Sequence, residues 1–220
     1  MFRISALLAT AVVLAGCQPT AGIEPQSTPT VQVVEESGWR RLASSEDEAR
    51  VDGAAEAWDD ALAVARRAGF RRQIAAEGRL LEPDGALPRA APSPGSYNCR
   101  LLRFANPSGR RGRAMTSFPP FFCHVGVDAD QLSITKQTGS ERPSGYLWDE
   151  PGTSHMVFLG SLALGSDEAP LAYGDDQSRD MAGLFERVGP LRFRLVIPRP
   201  RTGAILEIFE LTPAPAQPVE

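Results

Sequence analysis

The chain has two histidines, His124 and His155, and that scarcity removes several kinds of chemistry. They do not stand in the His-Glu-x-x-His spacing that puts two imidazoles on one helical face for zinc. No Gly-x-Ser-x-Gly elbow occurs to expose a nucleophilic serine. Basic residues are not in excess: 23 Lys and Arg stand against 27 Asp and Glu, a net charge of −4. A general nucleic-acid binder would show a basic footprint, so that class is set aside. Internal repeats are absent, and no apolar run approaches the roughly 20 residues a membrane-spanning helix needs. The acidic stretch Asp167-Glu168 and Asp175-Asp176-Gln177-Ser178-Arg179-Asp180 lacks the alternate ligands, Gly and distal Glu of a calcium loop. It reads as a solvated turn, and neither a metal nor a cofactor is expected.

What is present begins at the first residues. Met1-Phe2-Arg3 precedes an uncharged apolar stretch, Ile4 to Leu14, within the about 7–15 residues of a signal-peptide core. Leu14-Ala15-Gly16-Cys17 resembles the bacterial lipobox: aliphatic, small, small, cysteine. The resemblance implies that residues 1–16 are cleaved and that Cys17 is acylated; the alternative is an ordinary signal peptide with a coincidental cysteine. Several acyl chains on one cysteine anchor stably, because each buried methylene contributes ~0.8 kcal/mol. Residues 17–37, the lipidated cysteine and a stretch rich in Pro, Thr, Gln and Gly, are expected to be a disordered tether. Gln18, rather than Asp, after the cysteine points to the outer membrane, with the protein facing the periplasm. Loss of Arg3 with the leader takes the charge from −4 to −5. With Cys17 acylated, Cys99 and Cys123 remain, and an oxidising compartment favours a bridge between them. The loop so closed is one for which chain entropy predicts ~3 kcal/mol. Two buried free thiols are the other reading.

Residues 38–87 read as a helical hairpin. Ser44 or Ser45 can cap it, and Glu46, Asp47 and Glu48 suit the positive end of the helix dipole. Ala54, Ala57, Trp58, Ala61, Leu62 and Ala65 recur at intervals of three and four, as an apolar stripe does. Gly69 stops the first helix, and a second passes through Ile74, Ala75, Gly78 and Leu81. Residues 88–94 are a Pro-rich linker. From Gly95 the character changes to short segments of β-branched and aromatic residues between turn residues. Strands are expected at Tyr97–Phe104, Phe121–Val127, Gln131–Thr138, Gly145–Trp148, Met156–Leu164, Met181–Val188, Leu191–Ile197 and Ala204–Leu211. Alternation is clearest in Leu132/Ile134 against Ser133/Thr135 and in Phe193/Leu195/Ile197 against Arg192/Arg194. The fold class is therefore mainly β with an N-terminal helical hairpin (α+β), and residues 95–212 form a small antiparallel up-and-down β-barrel or a sandwich. If the strands carrying Tyr97, Cys99, Leu101 and Phe121, Cys123, Val125 are neighbours, the two sulfurs meet inside. Residues 213–220 are expected to be a disordered tail.

Gly95-Ser96-Tyr97, opening the first strand, resembles the start of the calycin group, the lipocalin-like barrels, which carry Gly-x-Trp there. The resemblance covers roughly Gly95 to Leu211 and implies a barrel. It also implies an arginine over the aromatic residue, a part open to Arg192 or Arg194. A second resemblance is to a proteobacterial lipoprotein family known as domain of unknown function 4893. It rests on Gly95-Ser96-Tyr97-Asn98-Cys99-Arg100, Phe118-Pro119-Pro120-Phe121-Phe122-Cys123, Thr135 to Gly145 and Arg179-Asp180-Met181-Ala182-Gly183-Leu184-Phe185-Glu186-Arg187. That family brings no activity with it.

No catalytic residues are assigned. His124 alternates away from Cys123 onto the opposite face, His155 follows Thr153-Ser154 at a strand start, and each reads better as structural or solvent-exposed than as catalytic. Arg110-Arg111-Gly112-Arg113 can meet anionic lipid headgroups, although a charged hairpin loop is the simpler reading. Thr138 to Gly145 concentrates Gly, Pro and polar groups, and its Arg142 can grip a carboxylate or phosphate bidentately or pair structurally with Asp180. Arg142, Tyr146, His155, Asp180 and Arg192 form the candidate polar set, for a ligand at the barrel mouth or for structure. The expected partners are the membrane, through Cys17, and a small amphiphile or an envelope protein. A non-enzymatic binding module is the first reading, an inhibitor or assembly partner the second, and an envelope hydrolase the third.

Overall fold

Alternating side chains let a sheet bury one face, and here the sheet curls until that face is enclosed. The computed structural model describes residues 38–108, 112–165 and 169–215. The leader, Cys17, the tether, Arg110 and Arg111, Asp167-Glu168 and residues 216–220 of the tail lie outside the described residues. The strands are β1 Gly95–Phe104, β2 Met115–Ser117, β3 Phe121–Asp128, β4 Gln131–Lys136, β5 Glu141–Asp149, β6 His155–Leu164, β7 Asp180–Gly189, β8 Arg192–Pro198 and β9 Leu206–Pro213. In the order β1-β3-β4-β5-β6-β7-β8-β9 each pairs antiparallel with the next, and β9 returns to β1 from Tyr97↔Pro213 to Phe104↔Leu206. The result is a closed barrel of eight strands, with β2 as an extra ribbon on the upper end of β1.

The interior is filled from the lower end. Phe185 stacks on Phe193 with centroids 5.7 Å apart, and Tyr97 meets Phe193 edge-on at 6.2 Å. The Tyr97 hydroxyl donates to the Ser93 carbonyl at 2.7 Å. Ala90 enters the same core, so residues 88–94 close the bottom of the barrel rather than merely connecting to it. Cys99 and Cys123 are bridged. Tyr97 faces Cys123 across the ladder and Cys99 faces Phe121, so the bridge joins a diagonal pair on neighbouring strands, with its Cα atoms 6.0 Å apart. The wall closes tightly at glycines: Gly145 faces Gly160, where a Cβ would lie 2.3 and 2.2 Å from the carbonyl oxygens of Leu159 and Ser144 respectively.

Three helices and a 3₁₀ turn cover part of the outer wall: α1 Ser45–Asp52, α2 Ala54–Arg67, α3 Arg71–Glu77 and the turn Gly78–Leu81. Ser44 caps α1, its hydroxyl accepting from the Asp47 amide at 3.2 Å. The first helical segment differs from expectation by breaking at Gly53. A straight helix cannot follow a strongly curved wall. The break lets α1 lie along β7 while α2 crosses β1, β8 and β9. The alanine stripe and Trp58 of α2 pack on Leu102, Phe104, Val196 and Ile208, which point out of the barrel. Trp39 and Val51 cover Val157, Leu159 and Ala182 in the same way. The helices thus form a partial second layer on the wall.

Most strand boundaries shift by one or two residues, and β2, β5 and β9 differ in ways that matter to the wall. Met115–Ser117 is too short to show alternation; it forms because β3 follows β1 only as far as Cys99, leaving Leu102 to Phe104 open to a partner. β5 begins at Glu141, so Arg142-Pro143-Ser144 belong to a strand rather than to a loop. Pro143 is tolerated because β4 pairs with β5 only at Ser144–Leu147, and the missing N–H leaves no ladder bond broken. β9 ends at Pro213, one residue into the expected tail.

Candidate binding site at the barrel mouth

Along three strands the inward face runs out of apolar residues and ends in a charge. On β1 the series Tyr97, Cys99, Leu101 continues to Arg103. On β4, Leu132 and Ile134 lead to Lys136. On β9, Leu211 and Phe209 lead to Glu207. Alternation puts each of these charges on the inward face at the upper end, where Glu141 and Asp180 begin β5 and β7. Together with Pro143, Leu162, Met181 and the Pro200–Thr202 turn they surround a cavity of about 460 Å³. Its floor is apolar: Leu101, Pro143, Leu162, Met181 and Phe209. Beneath, between Cys123, Ile134, Leu195 and Phe209, only about 10 Å³ is free. A groove of about 440 Å³, walled by Phe118 to Phe121 and Thr138 to Ser140, adjoins the mouth through Leu101, Arg103, Lys136 and Glu141.

The charges differ in how they are held. Arg103 donates to Glu207 at 2.6 Å and to Glu141 at 3.1 Å, and Thr202 donates to Glu207 at 3.1 Å. Burial nevertheless pushes the Glu207 carboxyl above its ordinary pKa, with Arg103 and Thr202 opposing and Glu141 adding. Asp180 accepts from the Gly174 amide at 2.9 Å; burial raises its pKa too, against that hydrogen bond. Arg201 spans the rim, donating to the Asp180 carbonyl at 3.1 Å and to Glu46 of α1 at 3.4 Å. Lys136 lies over the Phe121 ring, its Nζ 4.3 Å from the centroid. No carboxylate lies within ion-pair distance of that ammonium among the described residues. Burial lowers its pKa, opposed by Glu141 and Glu207 and reinforced by Arg103 and Arg142.

The model of the family described as domain of unknown function (DUF4893) matches residues 39–211, from Trp39 to the last inward leucine of β9. The chain belongs to this family. Neither the curated proteins nor the solved structures yield a match. The DUF4893 match takes in the helices, the wall as far as Leu211 of β9 and every mouth residue named above.

The five candidate polar residues are not one site. Asp180 lines the mouth. Arg142 points out of the barrel and is buried, donating to the carbonyls of Gly139 and Gly165, so it ties the β4–β5 turn to the end of β6. Tyr146 is on the outer face, donating to Asp128 at 2.7 Å. His155 stands at the opposite end of the barrel, 2.9 Å from Glu150, whose other oxygen accepts the Trp39 indole N–H at 3.2 Å. Arg192 sits outside the wall, donating to Glu210 at 2.5 Å beside Arg100, which grips Glu77 of α3 at 2.6 Å. It helps to clamp a helix. His124 faces outward and is exposed.

The arginine expected over Tyr97 is elsewhere. Arg194 points outward, fully buried beneath the helical layer, with its guanidinium 4.8 Å from the Trp58 ring. Tyr97 instead points inward, against Phe193. Among the described residues no helix is long and apolar enough to cross a membrane, and no group of three or more His, Cys, Asp or Glu is arranged to hold a metal ion.

Proposed function

We propose that the chain is a non-enzymatic envelope lipoprotein whose barrel mouth binds a small amphiphile. The observation that carries the reading is the mouth itself: about 460 Å³, apolar below and charged at the rim, above a filled barrel. That volume falls within the roughly 300–1,000 Å³ of small-molecule sites, which also combine apolar walls with a few polar groups. The filled interior sets the ligand's shape, because a tail can rest on the floor but cannot thread the barrel. Anchoring rests on Leu14-Ala15-Gly16-Cys17 and its likeness to a lipobox. Gln18 favours the outer membrane, with the barrel in the periplasm.

The filled lower barrel also favours a second reading, an inhibitor or assembly partner that meets another envelope protein with its loops. One experiment separates the two. A Cys17→Ser chain, secreted as a soluble protein and purified natively from the periplasm, is compared by intact native mass and by mass spectrometry of its organic extract. A stoichiometric small molecule supports the carrier and names its ligand class. An empty protein counts against a carrier of any ligand present in that host and turns the search to protein partners.

A further inference from the structure

We propose that the mouth selects an anionic headgroup, a carboxylate on a short apolar tail, and that Lys136 is the residue that holds it. The assignment rests on the mouth-binding reading above and adds the chemistry of the ligand. Among the described residues four cations face the cavity: Arg103, Lys136, Arg179 and Arg201. Arg103 is engaged by Glu207 and Glu141, Arg201 by Glu46, and Arg179 lies 3.3 Å from Asp176. Lys136 differs from them. Its ammonium rests on an aromatic face, in partial burial, with no carboxylate in contact among the described residues. A desolvated cation gains most from a contact anion, because the cost of leaving water has already been met by the fold.

Position supports the same assignment. Lys136 borders the mouth, the narrow space beneath it and the adjoining groove, so an anion beside it is reachable from either opening. From that anion a short tail can lie over Pro143 and Phe209, which line both the mouth and the space below. Glu141 and Glu207 share the neighbourhood, but Arg103 lies between them and holds both. A lysine is a compact point charge with rotatable donors, suited to one carboxylate rather than to a fixed bidentate grip.

The test uses three probes with one tail, octanoate, octanol and octylammonium, titrated calorimetrically into the full-length Cys17→Ser chain. Octanoate is expected to bind about tenfold more tightly than octanol, as one charge-assisted contact allows, and octylammonium most weakly. Lys136→Met should lower octanoate affinity to that of octanol and leave octanol unchanged; Lys136→Arg should retain the preference. Thermal unfolding of both variants reports whether the fold is kept. Equal affinities for the three probes, or an unchanged octanoate preference in folded Lys136→Met, leave the mouth as a site and overturn the role of Lys136. Absence of binding by all three removes the mouth reading and this assignment with it.

Discussion

Arg194→Met should be among the most damaging single substitutions in the wall. The guanidinium is fully buried between β8 and the helical layer. It donates to Glu186 at 2.5 Å and to the carbonyls of Leu80, Glu82 and Pro83 at 2.9, 2.7 and 2.9 Å. Those carbonyls belong to the 3₁₀ turn and the chain leaving it, where a helix end has acceptors without intrahelical partners. One side chain therefore satisfies a carboxylate and a helix terminus together. Removing one partner of a buried pair costs about 3–5 kcal/mol, because the remaining charge stays behind. Against a typical total of about 5–15 kcal/mol, that is a large share of the stability. The assay is urea unfolding followed by far-ultraviolet dichroism and by tryptophan fluorescence, to which Trp58 under the guanidinium contributes. Arg194→Met combined with Glu186→Leu should cost less than Arg194→Met alone, since no orphan carboxylate remains. A loss below about 1 kcal/mol for Arg194→Met, or a double variant as damaged as the sum of the singles, would refute the reasoning.

Other substitutions examine separate features. Gly160→Ala places a methyl 2.2 Å from the Ser144 carbonyl oxygen, so a loss of about 1–3 kcal/mol is expected in thermal unfolding; an unchanged midpoint would show that the wall yields there. Replacing Cys99 and Cys123 by Ala should cost about 2–5 kcal/mol, and equal stability with and without reductant would contradict it. Glu207 gives a pH signature. Its carboxyl titrates above its ordinary range in the folded protein, so the folded state holds the proton more tightly than the unfolded state. Stability then falls as pH rises from the unfolded value through the raised folded one, and the deficit persists above it. Glu207→Gln lacks this titration and should gain on the parent protein across that window in paired urea titrations. A stability difference that stays flat with pH would show that burial does not govern this carboxyl.

Local pattern carried much of the architecture. Strict alternation in Leu132 to Thr135 and in Arg192 to Ile197 marked inward and outward faces, because successive side chains in a strand must point to opposite sides. The shared parity of Cys99 and Cys123 on two such faces carried the bridge, now seen between neighbouring strands. Ser44 and the acidic first turn marked the start of α1, since capping is a local hydrogen-bond problem. The mouth was legible only in a form easily overlooked. Arg103, Lys136 and Glu207 share the parity of the core residues before them, and a charge on an apolar face at a strand end is the mark of a rim.

The remainder needed the tertiary structure, because it depends on residues far apart in the chain. Arg192 and Arg194 share one face of β8, and alternation does not tell them apart. One lies at the margin of the helical layer and the other beneath it, so the position of α2 and of the turn after α3 separates a surface ion pair from a buried hub. Arg142, within a polar segment, reads either as a ligand donor or as a structural partner of Asp180, and only the fold shows that the end of β6 brings a carbonyl to it. Closure of β9 onto β1 joins residues more than a hundred positions apart, and no local periodicity encodes that pairing. The sequence determined most of the strands and which side of each is apolar, since propensity and alternation act over a few residues. Curvature, closure and the helical layer decided which charges were buried, paired or left facing a cavity, since those outcomes follow from distance in space.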